Sequence, residues 1–297
     1  MSERKNSPPK NTSDFSFVDS QKMARQNKSI RDNPEINVIN PNKVSYENDA
    51  TLPKLPHISG LTLNPNEVNA LKKLAAKKSL EYIKHNMVIG IGTGTTVNEL
   101  IPLLTSVIHD IDGVVSSSAQ TTEKLLQVGI TPYPLHSISK IHLYIDGADQ
   151  INHNFEMIKG GGGALTGEKI LVAMAQKFIC IVDTTKLVKE FSSPIPLEII
   201  PMSLPLVNKK ITELGGICYP REGYKTEYGN LIIDVRGLDT TNPKQLELYL
   251  NSIEGVVTNG LFTHHPADIM LMGTKDGVLE YNRIKRNTSV NLVLQDF

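Results

Sequence analysis

Cysteine, net charge and long hydrophobic runs are all scarce in this sequence. Its 297 residues include two cysteines, Cys180 and Cys218, and show no sign of a secretory signal, so we expect no disulfide framework. Lys plus Arg and Asp plus Glu both number 31, and this neutral balance argues against a nucleic-acid partner. No apolar run approaches the roughly 18 residues that a membrane span requires. We therefore expect a cytoplasmic protein with neither a nucleic-acid nor a membrane partner.

The composition and the secondary-structure pattern of the chain change at about residue 60 and again at about residue 192. Residues 1–60 are rich in Asn, Ser, Lys and Pro without a lasting apolar period, which predicts a disordered or loosely docked extension. Strand-like and helix-like segments alternate over 87–182, which is typical of an α/β protein with a doubly wound, mostly parallel sheet. We assign residues 61–191 and 255–297 to this Rossmann-like catalytic domain, and residues 192–254 to a smaller α+β domain.

Several expectations concern individual elements. A first helix is predicted near Asn66, with Asn64 or Asn66 as its N-cap. A second helix is expected over 97–108, and a short strand near 132–133. After the smaller domain, the chain is expected to return to the main sheet through 255–258 and 267–272. No internal repeat is visible.

The stretch from 141 to 169 combines a strand pattern with a concentrated set of polar groups. Residues 141–145 form a short apolar run with the length and β-branched content of a buried strand. In an open α/β sheet, ligands bind at the carboxyl ends of the strands. The groups that follow are two carboxylates, a lysine, four consecutive glycines and a third carboxylate: Asp146, Asp149, Lys159, Gly160, Gly161, Gly162, Gly163 and Glu168. Together they predict proton-transfer chemistry on a small polar ligand.

Each of these features has an ordinary structural explanation when it is taken alone. Asp-Gly is a common turn, a glycine run is often a flexible connection, and Glu in a first helical turn complements the helix dipole. Four ordered glycines, however, lose a large conformational entropy, and another interaction must offset that loss. Close approach of backbone N–H groups to a ligand would provide such an interaction.

A second loop, residues 92–96, lies between an apolar strand pattern and a helical segment. This order presents backbone N–H groups and hydroxyls to an anion. The loop lacks the Gly-Lys-Ser/Thr of a Walker A motif and the third glycine of a dinucleotide fingerprint. Phosphate on a small ligand is the better interpretation, and an ordinary strand-to-helix turn capped by Thr is the alternative.

Two further polar groups are less specific. Lys186 follows the strand pattern 178–182 and is able to pair with phosphate, although a solvated loop lysine is its ordinary interpretation. His264 and His265 are adjacent, but no nearby set of Cys, His or carboxylate side chains has metal-ligand spacing. We therefore expect no metal site.

Over residues 64–281 the chain resembles ribose-5-phosphate isomerase, type A. The resemblance rests on residues 90–96, 116–118, 146–149, 159–165, 168–169 and 183 with 186. It implies an aldose-ketose isomerase of the pentose phosphate pathway that interconverts D-ribose 5-phosphate and D-ribulose 5-phosphate through an enediolate. It also implies that no metal or cofactor takes part, and that the protein is a homo-oligomer, commonly a dimer.

The resemblance also implies a role for each group of site residues. Glu168 is expected to be the base that moves a proton between C1 and C2. Asp146, Asp149 and Lys159 are expected to handle hydroxyl protons, assist ring opening and stabilise the enediolate. The expected contacts to the sugar phosphate are Thr93, Gly94, Thr95, Thr96, Gly147, Ala148, Gly160, Gly161, Gly162 and Lys186.

The chain departs from the family pattern at several positions. Gln150 replaces an acidic residue, Gly167 replaces a residue that is often Arg, and Thr95 replaces a common Ser. Gln150 and Gly167 are expected to alter local charge and loop stiffness. Two other functions stay open at this point: a regulatory protein that binds a sugar phosphate without converting it, and an isomerase of a different phosphosugar.

Overall fold

The computed structural model describes residues 63–283, so the predicted extension over 1–60 lies outside the described residues. The helices are α1 (Pro65–Ser79), α2 (Thr95–Leu100), α3 (Ala119–Gln127), α4 (Leu165–Met174), α5 (Leu204–Glu213) and α6 (Pro243–Asn251). The strands are β1 (Val88–Ile91), β2 (Gly113–Ser116), β3 (Leu143–Asp146), β4 (Gln150–Ile151), β5 (Met157–Ile158), β6 (Phe178–Asp183), β7 (Ile195–Ile199), β8 (Ile217–Pro220), β9 (Leu231–Arg236), β10 (Val256–Asn259), β11 (Leu261–Phe262), β12 (Ile269–Thr274) and β13 (Gly277–Asn282).

The main sheet has the strand order β13-β12-β6-β3-β1-β2. Its strands are parallel except for β13, which runs antiparallel to β12 at one edge. Strand β6 is buried along its whole length, as expected of a central parallel strand covered on both faces. The predicted doubly wound, mostly parallel α/β sheet is therefore confirmed.

Alternating side chains of β3 divide between the two faces of this sheet. Leu143 and Ile145 pack in one hydrophobic core with Ala75 of α1. Tyr144 points to the opposite core, which also contains Leu171 of α4. Because strand side chains alternate with a period of two, Asp146 lies on the same face as Tyr144. This register places the Asp146 carboxylate at the carboxyl end of β3, on the face of the sheet that packs against α4.

Helix α1 begins at a cap that the sequence provides. The Asn64 side chain accepts a hydrogen bond from the Glu67 amide at 3.0 Å, and Glu67 accepts one from the Asn64 amide at 2.8 Å. Pro65 occupies the first turn, where its missing N–H costs nothing. The predicted helix and the Asn64 cap are confirmed.

A smaller antiparallel sheet has the order β10-β7-β9-β8, with α5 and α6 packed on its core. Strand β10 pairs with β7, so the predicted return of 255–258 to the main sheet is wrong. The apolar run over these residues does not distinguish between two sheets, and the edge of β7 not paired with β9 accepts β10. The predicted return through 267–272 is confirmed, because β12 pairs in parallel with β6 of the main sheet. The boundaries of the two predicted domains remain a prediction.

Two other expectations are wrong, and a proline explains the first. The helix expected over 97–108 ends at Leu100 and continues as short 3-10 turns, Ile101–Ser106 and Ile108–Asp110. Pro102 has no N–H to donate and its ring crowds the preceding turn, which ends an α-helix. The strand expected near 132–133 is absent from the described residues. Tyr133 makes a single backbone bond there, from its amide to the Val114 carbonyl at 2.7 Å.

A three-stranded sheet has the order β11-β5-β4. In the chain, β4 and β5 lie between β3 and β6 of the main sheet, and β11 lies between β10 and β12. Its strands have two residues each, which is too short to show a periodicity in the sequence. Strand β5 ends immediately before Lys159, and the Lys159 amide donates to the Gly260 carbonyl at 2.9 Å. This small sheet therefore fixes the backbone at Lys159.

Candidate active site

The carboxyl ends of three neighbouring strands, β6, β3 and β1, lie at one edge of the main sheet. The loop after β1 contains Thr93, the loop after β3 contains Gly147 and Ala148, and the turn after β6 contains Lys186. The Gly92 amide donates to the Ile145 carbonyl at 2.9 Å, which ties the first two loops together. Parallel pairing thus brings residues separated by up to about ninety positions to one edge.

Asp146 is fully buried at this edge and is surrounded by donors. Its Oδ2 lies 2.7 Å from the Lys159 Nζ and accepts from the Tyr144 hydroxyl at 2.5 Å. Its Oδ1 accepts from the amides of Thr93 at 3.1 Å and Gly147 at 2.7 Å. Burial and the negative charges of Asp146 and Glu168 raise the pKa of Tyr144 well above its ordinary value. Tyr144 therefore stays protonated and holds Asp146 as an acceptor.

Lys159 is buried between two of the carboxylates. Besides Asp146, its ammonium donates to the Gly147 carbonyl at 2.8 Å and lies 3.2 Å from Oε2 of Glu168. It also lies 5.4 Å from the centroid of the Phe262 ring. Burial alone would lower the pKa of Lys159, but the two carboxylates outweigh it and raise that pKa. Lys159 is thus a fixed cation within the site.

Glu168 lies in the first turn of α4 and is 3 % exposed. Burial raises its pKa to about 8, although the Lys159 charge acts in the opposite direction. Lys159 is close to Oε2 of Glu168, but its geometry is not that of a hydrogen bond, and this oxygen has no hydrogen-bond partner within residues 63–283. A buried carboxylate with a raised pKa and an oxygen that accepts no hydrogen bond within residues 63–283 has the properties of a general base.

The glycine loop, residues 160–163, holds the third carboxylate. The Gly161 amide donates to Oδ2 of Asp149 at 2.7 Å. A Cβ on Gly161 would lie 2.8 Å from the Asp149 carboxylate, and Gly160 has a φ of +97°, so both positions favour glycine. The charge of Asp149 contributes to the raised pKa of Glu168. Asp149 therefore belongs to the same electrostatic group as Asp146, Lys159 and Glu168.

The loop after β1 contains a cluster of hydroxyl groups. The Thr93 Oγ1 lies 2.8 Å from the Ser117 Oγ, 2.7 Å from the Ser118 Oγ and 3.0 Å from the Thr121 Oγ1. Thr121 donates to the Gly92 carbonyl at 2.8 Å. These bonds tie the loops after β1 and β2 to each other and engage the Thr93 side chain within the protein.

The neighbouring threonines of this loop have different surroundings. Thr95 Oγ1 accepts from the Lys72 ammonium of α1 at 3.0 Å, which brings a cation to the loop. Thr96 is buried, and it lies 3.8 Å from where a Cβ on Gly147 would be. Gly94 has a φ of +140° at the start of α2, a conformation that favours glycine. These residues lie together at the edge where the sequence predicts phosphate.

Two clefts adjoin the glycine loop. One is lined by Asp149, Gly161, Lys186 and Arg221, together with Asp234, Ser193 and two prolines. The other is lined by Thr93, Gly162, Gly163, Ala164, Tyr224, Glu227, Ser118 and Gln120. Four of the ten predicted sugar-phosphate residues line these clefts: Thr93 and Gly162 line one, and Gly161 and Lys186 line the other. Lys186 faces the cleft of Asp149.

Sequence reasoning missed four side chains that contact the predicted site: Lys72, Tyr144, Arg221 and Phe262. Tyr144 was detectable, because it lies two residues before Asp146 on a strand and therefore on the same face. Lys72 lies on a helix, where a lysine side chain usually extends into solvent, so the sequence does not mark it as a site residue. Arg221 and Phe262 come from other sheets, and no local pattern links them to the site.

Two departures from the family pattern have structural consequences. Gln150 donates to the Ser192 Oγ at 2.8 Å and accepts from the amides of Ser192 at 2.8 Å and Ser193 at 3.0 Å. Because an amide both donates and accepts, it makes a set of bonds that a carboxylate does not. A Cβ on Gly167 would lie 2.0 Å from the Ser117 carbonyl oxygen, so α4 packs closely on the end of β2.

Within residues 63–283, no group of three or more His, Cys, Asp and Glu side chains is arranged to hold a metal ion. In the same part of the chain, no helix combines the length and apolarity needed to cross a membrane.

The sheet is doubly wound, and a buried amine and carboxylates lie at the carboxyl ends of its strands. This arrangement is typical of an α/β enzyme that catalyses proton transfer. The family model of ribose 5-phosphate isomerase A (phosphoriboisomerase A) matches residues 113–277. The chain belongs to this family.

Solved structures agree with this assignment. Ribose 5-phosphate isomerase A from Neisseria gonorrhoeae is 40% identical, with a TM-score of 0.71, over 73% of this chain and 98% of that chain. The enzyme from Methanocaldococcus jannaschii is 34% identical, with a TM-score of 0.68, over 72% of this chain and 98% of that chain. A D-ribose-5-phosphate isomerase in complex with phospho-erythronic acid is 35% identical, with a TM-score of 0.70, over 74% of this chain and 100% of that chain.

Proposed function

We propose that this protein interconverts D-ribose 5-phosphate and D-ribulose 5-phosphate, an aldose-ketose isomerisation of the pentose phosphate pathway. The observation that carries the proposal is the buried contact of Lys159 with both Asp146 and Glu168, at 2.7 Å and 3.2 Å. A buried acid with a raised pKa beside a fixed cation suits removal of a weakly acidic C–H proton. Membership of the ribose 5-phosphate isomerase A family supports the choice of substrate.

We assign the C–H proton to Glu168. In the aldose-to-ketose direction, its carboxylate removes the proton from C2 of the open-chain sugar, and an enediolate forms. The same carboxyl group then returns the proton to C1. A positioned base of this kind contributes about 10²–10⁴-fold to the rate. Its Oε2, which accepts no hydrogen bond within residues 63–283, and its pKa of about 8 support this role.

The enediolate oxygens need donors that are in place before the charge develops. Lys159 supplies a positive charge in a buried setting, where electrostatic interactions are stronger than in water. The Gly161 amide is engaged by Asp149, so it does not serve this purpose. Within residues 63–283, the amides of Gly160 and Gly162 make no hydrogen bond. We assign these two amides and Lys159 to the oxyanion.

The remaining carboxylates are assigned to hydroxyl protons. Isomerisation also moves a proton between O2 and O1, and ring opening moves one between O1 and the ring oxygen. Asp149 lines a cleft and has one oxygen, Oδ1, that does not accept the Gly161 bond. Asp146 accepts three hydrogen bonds, pairs with the Lys159 ammonium and is fully buried. Asp149 is therefore the exchanging group, and Asp146 fixes Lys159.

The phosphate is assigned to the loop after β1 and to two lysines. Thr95 and Thr96 supply hydroxyls, and Lys72 lies 3.0 Å from the Thr95 hydroxyl. Lys186 lines the neighbouring cleft. A phosphate dianion at this edge of the sheet would interact with both ammonium groups, which act as point charges for phosphate.

We further propose that the protein is cytoplasmic and forms a homodimer. Light scattering after gel filtration would measure the mass of the dimer.

The experiment that tests the function is a direct assay with the purified full chain. Conversion of ribose 5-phosphate to ribulose 5-phosphate is followed spectroscopically, and pentose and hexose phosphates are compared by kcat/KM. We expect the highest kcat/KM for ribose 5-phosphate. Binding without turnover would identify a sugar-phosphate sensor and refute the proposal. A higher kcat/KM for another phosphosugar would identify a different isomerase.

A further inference from the structure

Arg221 connects the smaller antiparallel sheet to the glycine loop. It follows directly after β8, and its guanidinium binds Asp234 of β9 through Nε and Nη2, each at 2.7 Å. The other side of the same guanidinium donates to two backbone carbonyls of the loop. Nη1 donates to the Gly161 carbonyl at 3.0 Å and Nη2 donates to the Gly160 carbonyl at 3.2 Å.

One peptide group links this arginine to the proposed exchanging acid. The peptide between Gly160 and Gly161 accepts from Arg221 through its carbonyl oxygen and donates to Asp149 through its N–H at 2.7 Å. Because a peptide group is planar, fixing its oxygen also fixes the direction of its N–H. Glycines are otherwise free to rotate such a plane, since they lack the Cβ that restricts φ and ψ.

We propose that Arg221 is a positioning residue for the isomerase reaction, which fixes the Gly160–Gly161 peptide and thereby holds Asp149 and the adjacent glycine amides in the reactive arrangement. In this proposal Arg221 acts through the loop backbone and does not itself transfer a proton. The inference rests on the proposed function. The anchor is Asp234, whose carboxylate binds the guanidinium in a two-point pair. Such pairs are both strong and geometrically specific.

Arginine is required here for its shape rather than for its charge. The planar guanidinium donates in several fixed directions, so it reaches a carboxylate and two carbonyls at the same time. Lysine carries the same charge on a flexible stem and has three donors around one nitrogen. A lysine at this position would therefore keep the local charge but lose control of the peptide plane.

The test compares R221K, R221M and the matched control R236M in the full-length protein. Arg236 is exposed on β9, lies 5.7 Å from the centroid of the Tyr219 ring and, within residues 63–283, donates no hydrogen bond to the glycine loop. We expect kcat to fall about tenfold or more in both R221K and R221M, the size of effect that follows misplacement of catalytic groups. KM should change by less than about threefold, and R236M should match wild type. Full recovery of kcat in R221K would overturn the proposal, as would equal kinetics of R221M and R236M.

Asp234 provides a second route if R221M fails to fold. D234N keeps the shape of the side chain but removes the charged anchor, so we expect a smaller fall in kcat with little change in KM. Wild-type kcat in D234N would overturn the proposal. In a double-mutant cycle, R221M/D234N should be no slower than R221M, because both changes release the same peptide. Additive losses would contradict this mechanism.

Amide hydrogen exchange separates this inference from the proposed function. Exchange of the Gly161 amide should accelerate at least about tenfold in the Arg221 variant that folds, or in D234N, and stay at the wild-type rate in R236M. Unchanged exchange would overturn the positioning role. If the wild type lacks isomerase activity but the exchange result holds, the proposed function fails while the link from Arg221 to Asp149 stands.

Discussion

Glu168 is subject to two opposing influences on its charge. Its place in the first turn of α4 favours the ionised form by about 0.3–1 kcal/mol. Burial favours the neutral form and raises its pKa from 4.5 to about 8. The pKa shift is upward, so burial and the charges of Asp146 and Asp149 outweigh the helix dipole and the Lys159 charge. The result is a carboxylate that is more basic than an exposed one.

Replacing Glu168 by Gln should abolish turnover with little loss of ligand binding. The amide keeps the size of the side chain but has no basicity, so kcat should fall by at least about 10²–10⁴-fold. The measurements are steady-state kinetics and calorimetric titration with phospho-erythronic acid, the compound in the solved structure of a 35% identical isomerase, as the probe. The control is E123Q, because Glu123 is an exposed residue of α3. Near-normal turnover in E168Q would remove Glu168 from the mechanism.

The raised pKa of Glu168 also predicts a pH dependence. The base acts only when it is ionised, so kcat/KM should rise about tenfold per pH unit below the pKa and level off above about 8. Rates measured from pH 6 to 9.5 at subsaturating substrate would show this break. A profile that is already flat above pH 6 would place the pKa of the base near that of an ordinary carboxyl group and contradict the assignment.

At the scale of elements, the long regular segments were predictable and the short ones were not. The central strands and α1 carry clear apolar periods and turn or cap signals in the sequence. Strands β4, β5 and β11 have two residues each and no period, although β5 sets the position of Lys159. The break after α2 was visible in principle at Pro102. Strand β10 was predictable as a strand, but its sheet depends on tertiary pairing.

Helix α4 is held in place by the residue that follows the proposed base. Lys169 binds Glu247 of α6 at 2.8 Å, donates to the Leu261 carbonyl at 2.6 Å and lies 4.7 Å from the centroid of the Phe262 ring. The same ring lies under Lys159 at 5.4 Å. The pair of Lys169 and Glu247 thus connects α4, α6 and β11 close to the site.

The substitution Glu247→Gln should destabilise the protein at neutral pH. Burial opposes ionisation of Glu247, but Lys169, Thr263 and His264 outweigh it and lower its pKa from 4.5 to about 2. A depressed pKa contributes stability above pH 4.5 that is lost as pH falls toward 2. Urea unfolding should show a loss of roughly 3 kcal/mol at pH 7 in E247Q.

The difference between E247Q and wild type should shrink as pH falls from about 4.5 toward 2, because the wild-type carboxylate then becomes protonated. The control E254Q changes an exposed glutamate and should leave the urea midpoint unchanged at each pH. A loss in E247Q that stays constant from pH 7 to pH 3 would show that packing, rather than the charge of Glu247, stabilises this junction.

For the whole molecule, the proposed catalytic groups were predictable because they lie within one short segment of chain. The segment begins at the end of β3 and contains Asp146, Asp149, Lys159 and Glu168. The family resemblance implies a role for each of them. Their support comes from distant residues: Lys72 on α1, Arg221 after β8 and Phe262 on β11. These contacts arise only when three sheets assemble, so no local pattern of residue types encodes them.

This assembly predicts that ligand binding stabilises the whole fold. The assigned phosphate and sugar contacts lie on loops after β1, β3, β5 and β6, which separate when the protein unfolds. Phospho-erythronic acid at about 100 times its Kd should add about 2.7 kcal/mol. For a domain of this size, that corresponds to a rise in Tm of roughly 5–10 °C. Differential scanning calorimetry would measure it.

Erythronic acid, which lacks the phosphate, is the matched ligand control and should raise Tm by less than about 2 °C at the same concentration. The substitution K72M should reduce the shift caused by phospho-erythronic acid, since it removes the ammonium beside Thr95. R236M should preserve that shift, because Arg236 is exposed and lies away from the loops. Equal shifts with the two ligands would mean that phosphate makes no productive contact, and the assignment of Thr95, Thr96 and the two lysines would then be wrong.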